Sequence, residues 1–578
     1  MAFGVLTQEK DYQSSVASPE GSAGGIAGTF TWGPIGVPRL ISSVSELEKS
    51  FGKPTDANFA DWFSASDFLA SSNALYVVRV LHSGSNDANA TSTGDYDAER
   101  MIRSDTHFNV LQATDALDQE FYARYPGELG NSLLVSIADQ SNFSTWAYRN
   151  LFDRAPSSTN YAKQVFTNAG STETPNDELC IVVVDALGEI TGAPGTVLET
   201  FANLSKCLDA KSDLGVNNYY VSTLNARSSY IYAGVPLGGT LVSNTNGDKA
   251  AWGTAAKAGV SFAPINAQYT VTLSGGVTDS IGTASDYADA YTILCGLEDN
   301  RLNIIIAGAC GSDAHRLTVL QAIEAGCLKS EKRVAFCSPK ISDFLHTTPA
   351  EIEQAILDTW TATTTKTNVM SMDNNAKLVY DKYNSVYRII PCNASVAGAW
   401  ARTHANYGPW KSAAGYVRGN LTNVVKLMYS PDRLAMETFQ KKGINNIITD
   451  DGAVYLMGDK TLQQRESPFT YLGARFLTIS IKNLTRDSAK YTLFESNDQR
   501  TRNNFVSGVT PLLENIQTQG GLQAFRVVCD GSNNDAYTVS TGGFVCDIAF
   551  KPYQSIQWIM LKYSVLGANE SFDEVLGN

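Results

Sequence analysis

Hydrophobic and polar positions change their period several times along the chain, and each change predicts an element. Residues 1–25 show weak periodicity and end in Ser22-Ala23-Gly24-Gly25, which predicts an extended arm and a flexible joint. Ile26 to Trp32 then reads as a strand ended by Gly33-Pro34. Ser43 and Glu46 have the spacing of a capping box, and Phe59, Trp62, Phe63, Ser66 and Leu69 share one helical face. The apolar run Leu75–Leu81 predicts a buried strand.

From about Gly84 the texture becomes rich in Ser, Asn, Thr, Asp and Gly. Short apolar runs such as Ile181–Val184 and Tyr269–Leu273 then alternate with turn clusters. This predicts a β-rich, surface-exposed insertion. After Ser274-Gly275-Gly276 the pattern turns to strand–helix–strand. Leu302–Ala307 and Arg333–Cys337 read as strands. Ser312 or Asp313 is expected to cap a helix carrying Leu317, Leu320 and Ile323. Thr348-Pro349-Ala350-Glu351 offers a capping box with proline at the first helical position. Such alternation implies an α/β layer, which the 75–81 strand is expected to join. Near the end, Phe505, Val509, Leu512, Leu513 and Ile516 lie on one face of a helix over about 498–517. Strands Phe525–Cys529, Phe544–Phe550 and Ile556–Val565 follow. Cys529 and Cys546 are expected side by side on adjacent strands as reduced thiols.

Composition narrows the function classes. A chain of 578 residues suggests three or four domains of about 150 residues each. Its net charge of −14 with no Lys/Arg-rich block argues against nucleic-acid binding, which depends on neutralising phosphates. Only 18% of residues are charged, which suits a surface buried against neighbours. Met1–Thr7 has neither a basic start nor a long apolar core, so it does not read as a signal peptide. Apolar runs such as Ile304–Ala307 fall far short of the ~20 residues of a membrane span, so no membrane insertion is expected. Nine cysteines with no C-x-x-C spacing argue against a disulfide framework or zinc knuckle.

No catalytic constellation emerges. His82, His107, His315, His346 and His404 are scattered, and there is no G-x-S-x-G or G-x-G-x-x-G pattern. Gly458-Asp459-Lys460-Thr461 lacks the glycine spacing of a phosphate loop and reads as a turn. Asp530–Asp535 lacks the glycine and glutamate of a calcium loop, and Asp450-Asp451-Gly452 reads as a hairpin turn. Neither enzymatic activity nor a cofactor or metal is expected.

Several of these blocks, in order, resemble contractile phage tail sheath proteins, and T-even-like sheaths above all. They are Gly28–Pro34, Phe51–Pro54, Asp61–Phe63 and Ala74–Val80 near the N-terminus, then Tyr125–Gly127 with Gly130–Leu133. Further along come Asp381–Asn384, Gly408–Tyr416, Gly458–Thr461, Tyr491–Glu495, Phe525–Asp530 with Asn533-Asn534, Lys551-Pro552 and Ser555-Ile556. Phe3-Gly4-Val5 stands where many relatives have Pro-Gly-Val. The span 86–120 is short beside the largest relatives, so nothing is carried over for an outermost decorating domain.

The resemblance implies a multidomain α+β and α/β fold. Its parts are an N-terminal arm (1–20) that joins the inner domain, an α/β middle domain (21–85 with 275–439), a β-rich inserted outer domain (86–274), an inner α+β domain (440–565) built from both chain ends and a C-terminal arm (566–578). It implies a homo-oligomer of stacked hexameric rings around a tail tube protein, with baseplate and terminator partners. Such a virion tail component is assembled in the host cytoplasm and contracts from a metastable state. It also implies that arms exchange strands between subunits, with Phe3, Val5, Leu6, Ile556, Trp558, Met560 and Leu561 as candidates. Arg500, Arg502 and Asn503, at the start of the 498–517 helix, are candidate tube contacts. Competing readings are the sheath of a phage-like bacteriocin or secretion machine, a virion-associated hydrolase, and a surface-binding adhesin supported only by the β-rich insertion.

Overall fold

The computed structural model describes residues 21–80, 88–94, 101–167, 174–243, 247–278, 282–363, 366–557 and 560. A nine-stranded sheet organises the chain. Its order is Asn420–Leu421, Ala453–Met457, Ile444–Asp450, Met370–Asp373, Val334–Cys337, Leu302–Ile306, Ala23–Gly28, Leu75–Arg79 and Arg39–Ile41. The six strands from Ile444–Asp450 to Leu75–Arg79 run parallel, and antiparallel strands close both edges.

Strand alternation sorts side chains into two layers. Ile26, Val77, Ile304 and Phe336 face a core with the helices Phe59–Leu69 and Asn393–Tyr407. Ala27, Val78, Ile305 and Ala335 face the opposite core, with the helices Ala284–Gly296, Arg316–Ser330, Pro349–Ala362 and Arg433–Lys442.

The Gly24-Gly25 pair is no flexible joint. It lies in the fully buried strand Ala23–Gly28, paired on both sides. Its glycines are needed for close approach: a Cβ on Gly24 would sit 2.6 Å from the Phe68 ring, and one on Gly28 2.6 Å from Asp61 Cβ. Just past this strand Asp61 Oδ2 accepts from the Thr29 amide at 3.0 Å and the Tyr287 hydroxyl at 2.8 Å, joining the two helical layers. Burial pushes the Asp61 carboxyl above its ordinary range.

The helix expected from a Ser312 or Asp313 cap instead begins at Arg316, because a turn from Ser312 to His315 intervenes. Arg316 is drawn inward, its Nη2 donating to the Ser338 carbonyl at 2.8 Å, while Leu317 faces outward. The Thr348–Glu351 capping box forms as expected. Ser43 caps its helix by accepting from the Glu46 amide, but Glu46 turns back to Ser42 rather than to Ser43.

Open parallel sheets hold ligands outside the carboxyl ends of their strands. Here the protein's own polar groups fill that region. Asn393 Nδ2 donates to the Gly308 carbonyl at 2.8 Å, and Ser338 Oγ donates to Asp373 at 2.7 Å. Burial pushes the Asp373 carboxyl up to about 7. The space left beside Gly308 and Ser338 is ≈ 10 Å³, room for a single water at most.

The insertion folds on a four-stranded antiparallel sheet ordered Thr196–Ser205, Glu178–Asp185, Leu133–Asp139 and Tyr269–Thr272, with a second pair Phe121–Ala123 and Ile231–Ala233. Lys206 and Asp139 form an ion pair at 2.8 Å inside it, both almost wholly buried. Lys206 Nζ also reaches the carbonyls of Asn176 and Ala263 and lies 4.9 Å from the Trp252 ring centroid. Burial drives the Lys206 ammonium's pKa down. Burial pushes on Asp139 too, but the ammonium beside it holds that carboxyl below its usual range.

The expected boundary at 440 moves. Ile444–Asp450 and Ala453–Met457 were placed in the inner domain, yet they extend the nine-stranded sheet. The inner unit beyond them comprises the helices Leu472–Lys490 and Gln499–Thr518 and a two-stranded antiparallel sheet, Leu522–Val528 with Asp547–Pro552. Its core holds Leu477, Ile481, Phe505, Val509, Leu513 and Leu522.

The buried Lys206–Asp139 pair sets a first test. Lys206→Met leaves Asp139 buried without its cation and is expected to cost about 3–5 kcal/mol. Adding Asp139→Leu should recover most of that loss. Urea denaturation followed by tryptophan fluorescence measures both.

Candidate assembly interface

Both described chain ends leave the body beside buried polar groups. At the N-terminal end, Ser22 Oγ lies 2.5 Å from His404 Nδ1. His404 is enclosed by Trp400 and Phe476, with ring centroids 5.7 Å and 4.4 Å away. Burial drives its imidazole pKa down to about 3, so the ring is neutral and shares one hydrogen bond with the Ser22 hydroxyl, the tautomer deciding which of the two donates. At the C-terminal end, Ser555 Oγ donates to Asp459 Oδ2 at 2.6 Å and Gln557 Nε2 to Asp459 Oδ1 at 3.1 Å.

The C-terminal segment follows directly on the inner two-stranded sheet, whose second strand ends at Pro552. Ile548 and Phe550 alternate with exposed Asp547, Ala549 and Lys551, so one face rests on the inner core and the other is open. Among the described residues each strand has a neighbour on one side only. A strand edge of this kind presents a row of unpaired N–H and C=O groups, and a two-stranded sheet is marginal alone.

The predicted residues fall as follows. Phe3, Val5, Leu6, Trp558 and Leu561 lie outside the described residues. Ile556 and Met560 are exposed, at 82% and 65%, and neither is in a regular strand; the part of the expected Ile556–Val565 strand at 558–559 and 561–565 lies outside the described residues. Arg500 and Asn503 are exposed at the start of the Gln499–Thr518 helix, which Asp498 caps by accepting from the Thr501 amide. Arg502 is buried, its Nη1 donating to Asn497 Oδ1 at 2.8 Å. Arg502 lies three residues before Phe505, on the buried side of the helix, and braces the preceding turn instead of facing outward.

Cys529 and Cys546 flank the Val528–Asp547 pair and contact one another as free thiols. Asp530 closes its turn by accepting from the Ser532 amide and hydroxyl, as a polar turn should. Among the described residues no group of three or more His, Cys, Asp or Glu side chains could hold a metal ion, and no helix is long and apolar enough to cross a membrane. Sequence reasoning missed His404 and Asp459 as anchors. It also missed the exposure of Tyr491, Leu493 and Phe494, at 87%, 67% and 105%, in the turn between the two inner helices. Their one available signal was a lone histidine in a helix of small residues and an aspartate in a turn.

The described residues thus form a multidomain α/β protein whose inner sheet has two strands and whose first and last described segments each rest on a buried polar side chain. The phage tail sheath protein central domain matches residues 281–462, and the phage tail sheath C-terminal domain matches residues 466–565. The tail sheath protein of Salmonella phage ViI is 26% identical over 608 residues, covering 96% of this chain and 94% of that protein. The tail sheath protein of Enterobacteria phage T4 is 26% identical over 656 residues and covers 99% of both. The crystal structure of the sheath tail protein Lin1278 from Listeria innocua shares the fold. Its TM-score is 0.55 at 12% identity, covering 94% of this chain and 99% of that one. Residues 281–462 and 466–565 thus match phage tail sheath domains, and the chain is similar along almost its whole length to the tail sheath proteins of two bacteriophages.

The neutral His404 gives a pH test. Its folded pKa lies below the unfolded value, so the stability it contributes is present above about pH 6.5 and is lost as pH falls toward 3. Between those limits it adds a slope of up to about 1.4 kcal/mol per pH unit. Burial shifts Asp61 and Asp373 the opposite way, so their contribution declines as pH rises. Urea midpoints measured from pH 7 to pH 4 should therefore fall more steeply for the natural chain than for His404→Gln.

Proposed function

We propose that this subunit polymerises as stacked hexameric rings around a tail tube and contracts from a metastable extended lattice. Contraction drives the tube through the host envelope. The observation that carries this reading is the two-stranded inner sheet, whose strands each have a neighbour on one side only among the described residues and from which the chain runs on directly into the C-terminal segment 553–557. Strands from the arms of other copies, residues 1–20 and 566–578, complete that sheet by β-strand addition. Each contributes several main-chain hydrogen bonds worth roughly 1 kcal/mol apiece, and the array multiplies them. Neighbours then stay linked while their bodies rotate, which suits a two-state lattice that stores energy in packing and consumes no nucleotide.

In this arrangement the unit of helices Leu472–Lys490 and Gln499–Thr518 faces the tube, and the β-rich insertion faces outward. The partners are other copies, the tail tube protein, the baseplate and a tail terminator. Subunits assemble in the host cytoplasm and have no catalytic role.

Removing residues 1–20 or the tail after Leu566 should abolish tubes seen by negative-stain microscopy while circular dichroism stays that of a folded subunit. Tubes from both truncations would sink the arm reading. Persistent monomers of the full chain across salt and concentration would sink the sheath lattice itself. Arg500→Glu should weaken assembly on tail tubes and spare tube-free polymers; equal loss of both would refute the tube contact.

A further inference from the structure

Gly458-Asp459-Lys460-Thr461 follows the Ala453–Met457 strand, and its resemblance to a phosphate loop ends with its fold. Gly458 packs on Asn445, where a Cβ would meet Asn445 Oδ1 at 2.6 Å. That same oxygen accepts the Lys460 amide at 2.8 Å, and Thr461 Oγ1 donates to the Phe469 carbonyl at 2.9 Å. The Asp459 carbonyl accepts from the Leu472 amide at 2.8 Å, at the first residue of the Leu472–Lys490 helix. Three of the four residues are therefore committed to holding the turn against the sheet and that helix.

The Asp459 carboxylate is directed elsewhere. Only 3% of the residue is exposed, yet the side-chain donors recorded on its two oxygens come from 96 and 98 residues further along the chain, Ser555 and Gln557. Gln557 Nε2 also lies 2.8 Å from Ser555 Oγ, so the three side chains form one closed set. Ser555 and Gln557 are two residues apart, the spacing that puts side chains on one side of an extended segment. Ile556 between them is turned out to 82% exposure. Residues 553–557 belong to no helix or strand and run along a groove of ≈ 620 Å³ lined by Trp410, Tyr471 and Asp459. A buried carboxylate that lost these donors would be left short of partners, which favours the docked path.

We infer that Asp459 anchors the C-terminal arm. It is a positioning residue that fixes where the arm leaves the subunit and presents Ile556 outward. Through the Leu472 amide it also ties that exit to the helix shared by the sheet and the inner unit. The inference rests on the arm-exchange reading for its consequence in the lattice, but the anchor itself is a property of the single subunit.

The test uses the full chain. In unassembled subunits, chymotrypsin cleavage after Tyr553, 56% exposed, is followed by mass spectrometry. Asp459→Ala should raise that rate about tenfold, since cleavage follows the population of the undocked segment and two hydrogen bonds to a charged group are lost. Asp459→Asn should raise it less. Asp459→Asn combined with Gln557→Glu should return it toward the natural rate, because the new amide donates to the new carboxylate. The same Asp459→Ala chain should need a higher protein concentration to form tubes, and the double variant should reverse that. An unchanged cleavage rate in Asp459→Ala, or no recovery in the double variant, overturns the anchor. Arm exchange fails separately, if chains lacking residues 1–20 and chains ending at Leu566 both still form tubes, and that result leaves the cleavage comparison intact.

Discussion

One helix belongs to two cores, and the rest of the subunit depends on it. In Leu472–Lys490, Leu472, Phe476 and Ile479 pack with Trp400 under the nine-stranded sheet, whereas Leu477 and Ile481 pack with Phe505, Val509 and Leu513 in the inner unit. Residues one apart on a helix point about 100° from each other, so Phe476 and Leu477 serve different layers. A displacement of the inner unit relative to the sheet must therefore move or break a continuous helix whose first half, Leu472 to Ile481, is largely buried. Burying such side chains is worth roughly 1.5–3 kcal/mol each, which makes the helix a stiff link.

The sheet that receives this helix is itself fixed by what its central strand lacks. Gly24 and Gly28 bring the Phe59–Leu69 helix close enough for Asp61 to reach across the strand end to Tyr287. Beyond the strand ends, Asn393, Ser338 and Asp373 occupy the space where an enzyme of this layout would open a ligand crevice. The same architecture that supports catalysis elsewhere is here packed shut with hydrogen bonds. Ser22 on His404 and Ser555 with Gln557 on Asp459 extend that economy to the chain ends, each held by one buried group.

Much of the sheet was legible in the sequence because its strands are short apolar runs between turn residues. Leu75–Arg79, Leu302–Ile306 and Val334–Cys337 are of this kind, and proline with a capping box marked the helix Pro349–Ala362. The strand Ala23–Gly28 was hidden because small residues chosen for close packing look like a linker. The Asn393–Tyr407 helix was hidden because it is buried on nearly every side and carries little amphipathic pattern. Leu472–Lys490 escaped notice because service to two cores spreads its apolar positions too widely for a single stripe. The tube-facing set was legible only as a charge-bearing helix start. About half a turn of helix decides whether an arginine faces solvent, as Arg500 does, or braces its own loop, as Arg502 does. The anchors depend on contacts between residues as far apart as 22 and 404, which no local pattern encodes.

Completion of the inner sheet by other copies has a direct structural signature. Cryo-electron microscopy of tubes assembled from the full chain tests it most directly, at a resolution that traces the backbone around Leu522–Val528 and Asp547–Pro552. Additional strands hydrogen-bonded along those two edges are expected, each continuous with the terminal arm of a different subunit. Edges left bare in the assembled lattice, or covered only by the same subunit's own chain, would contradict completion by other copies.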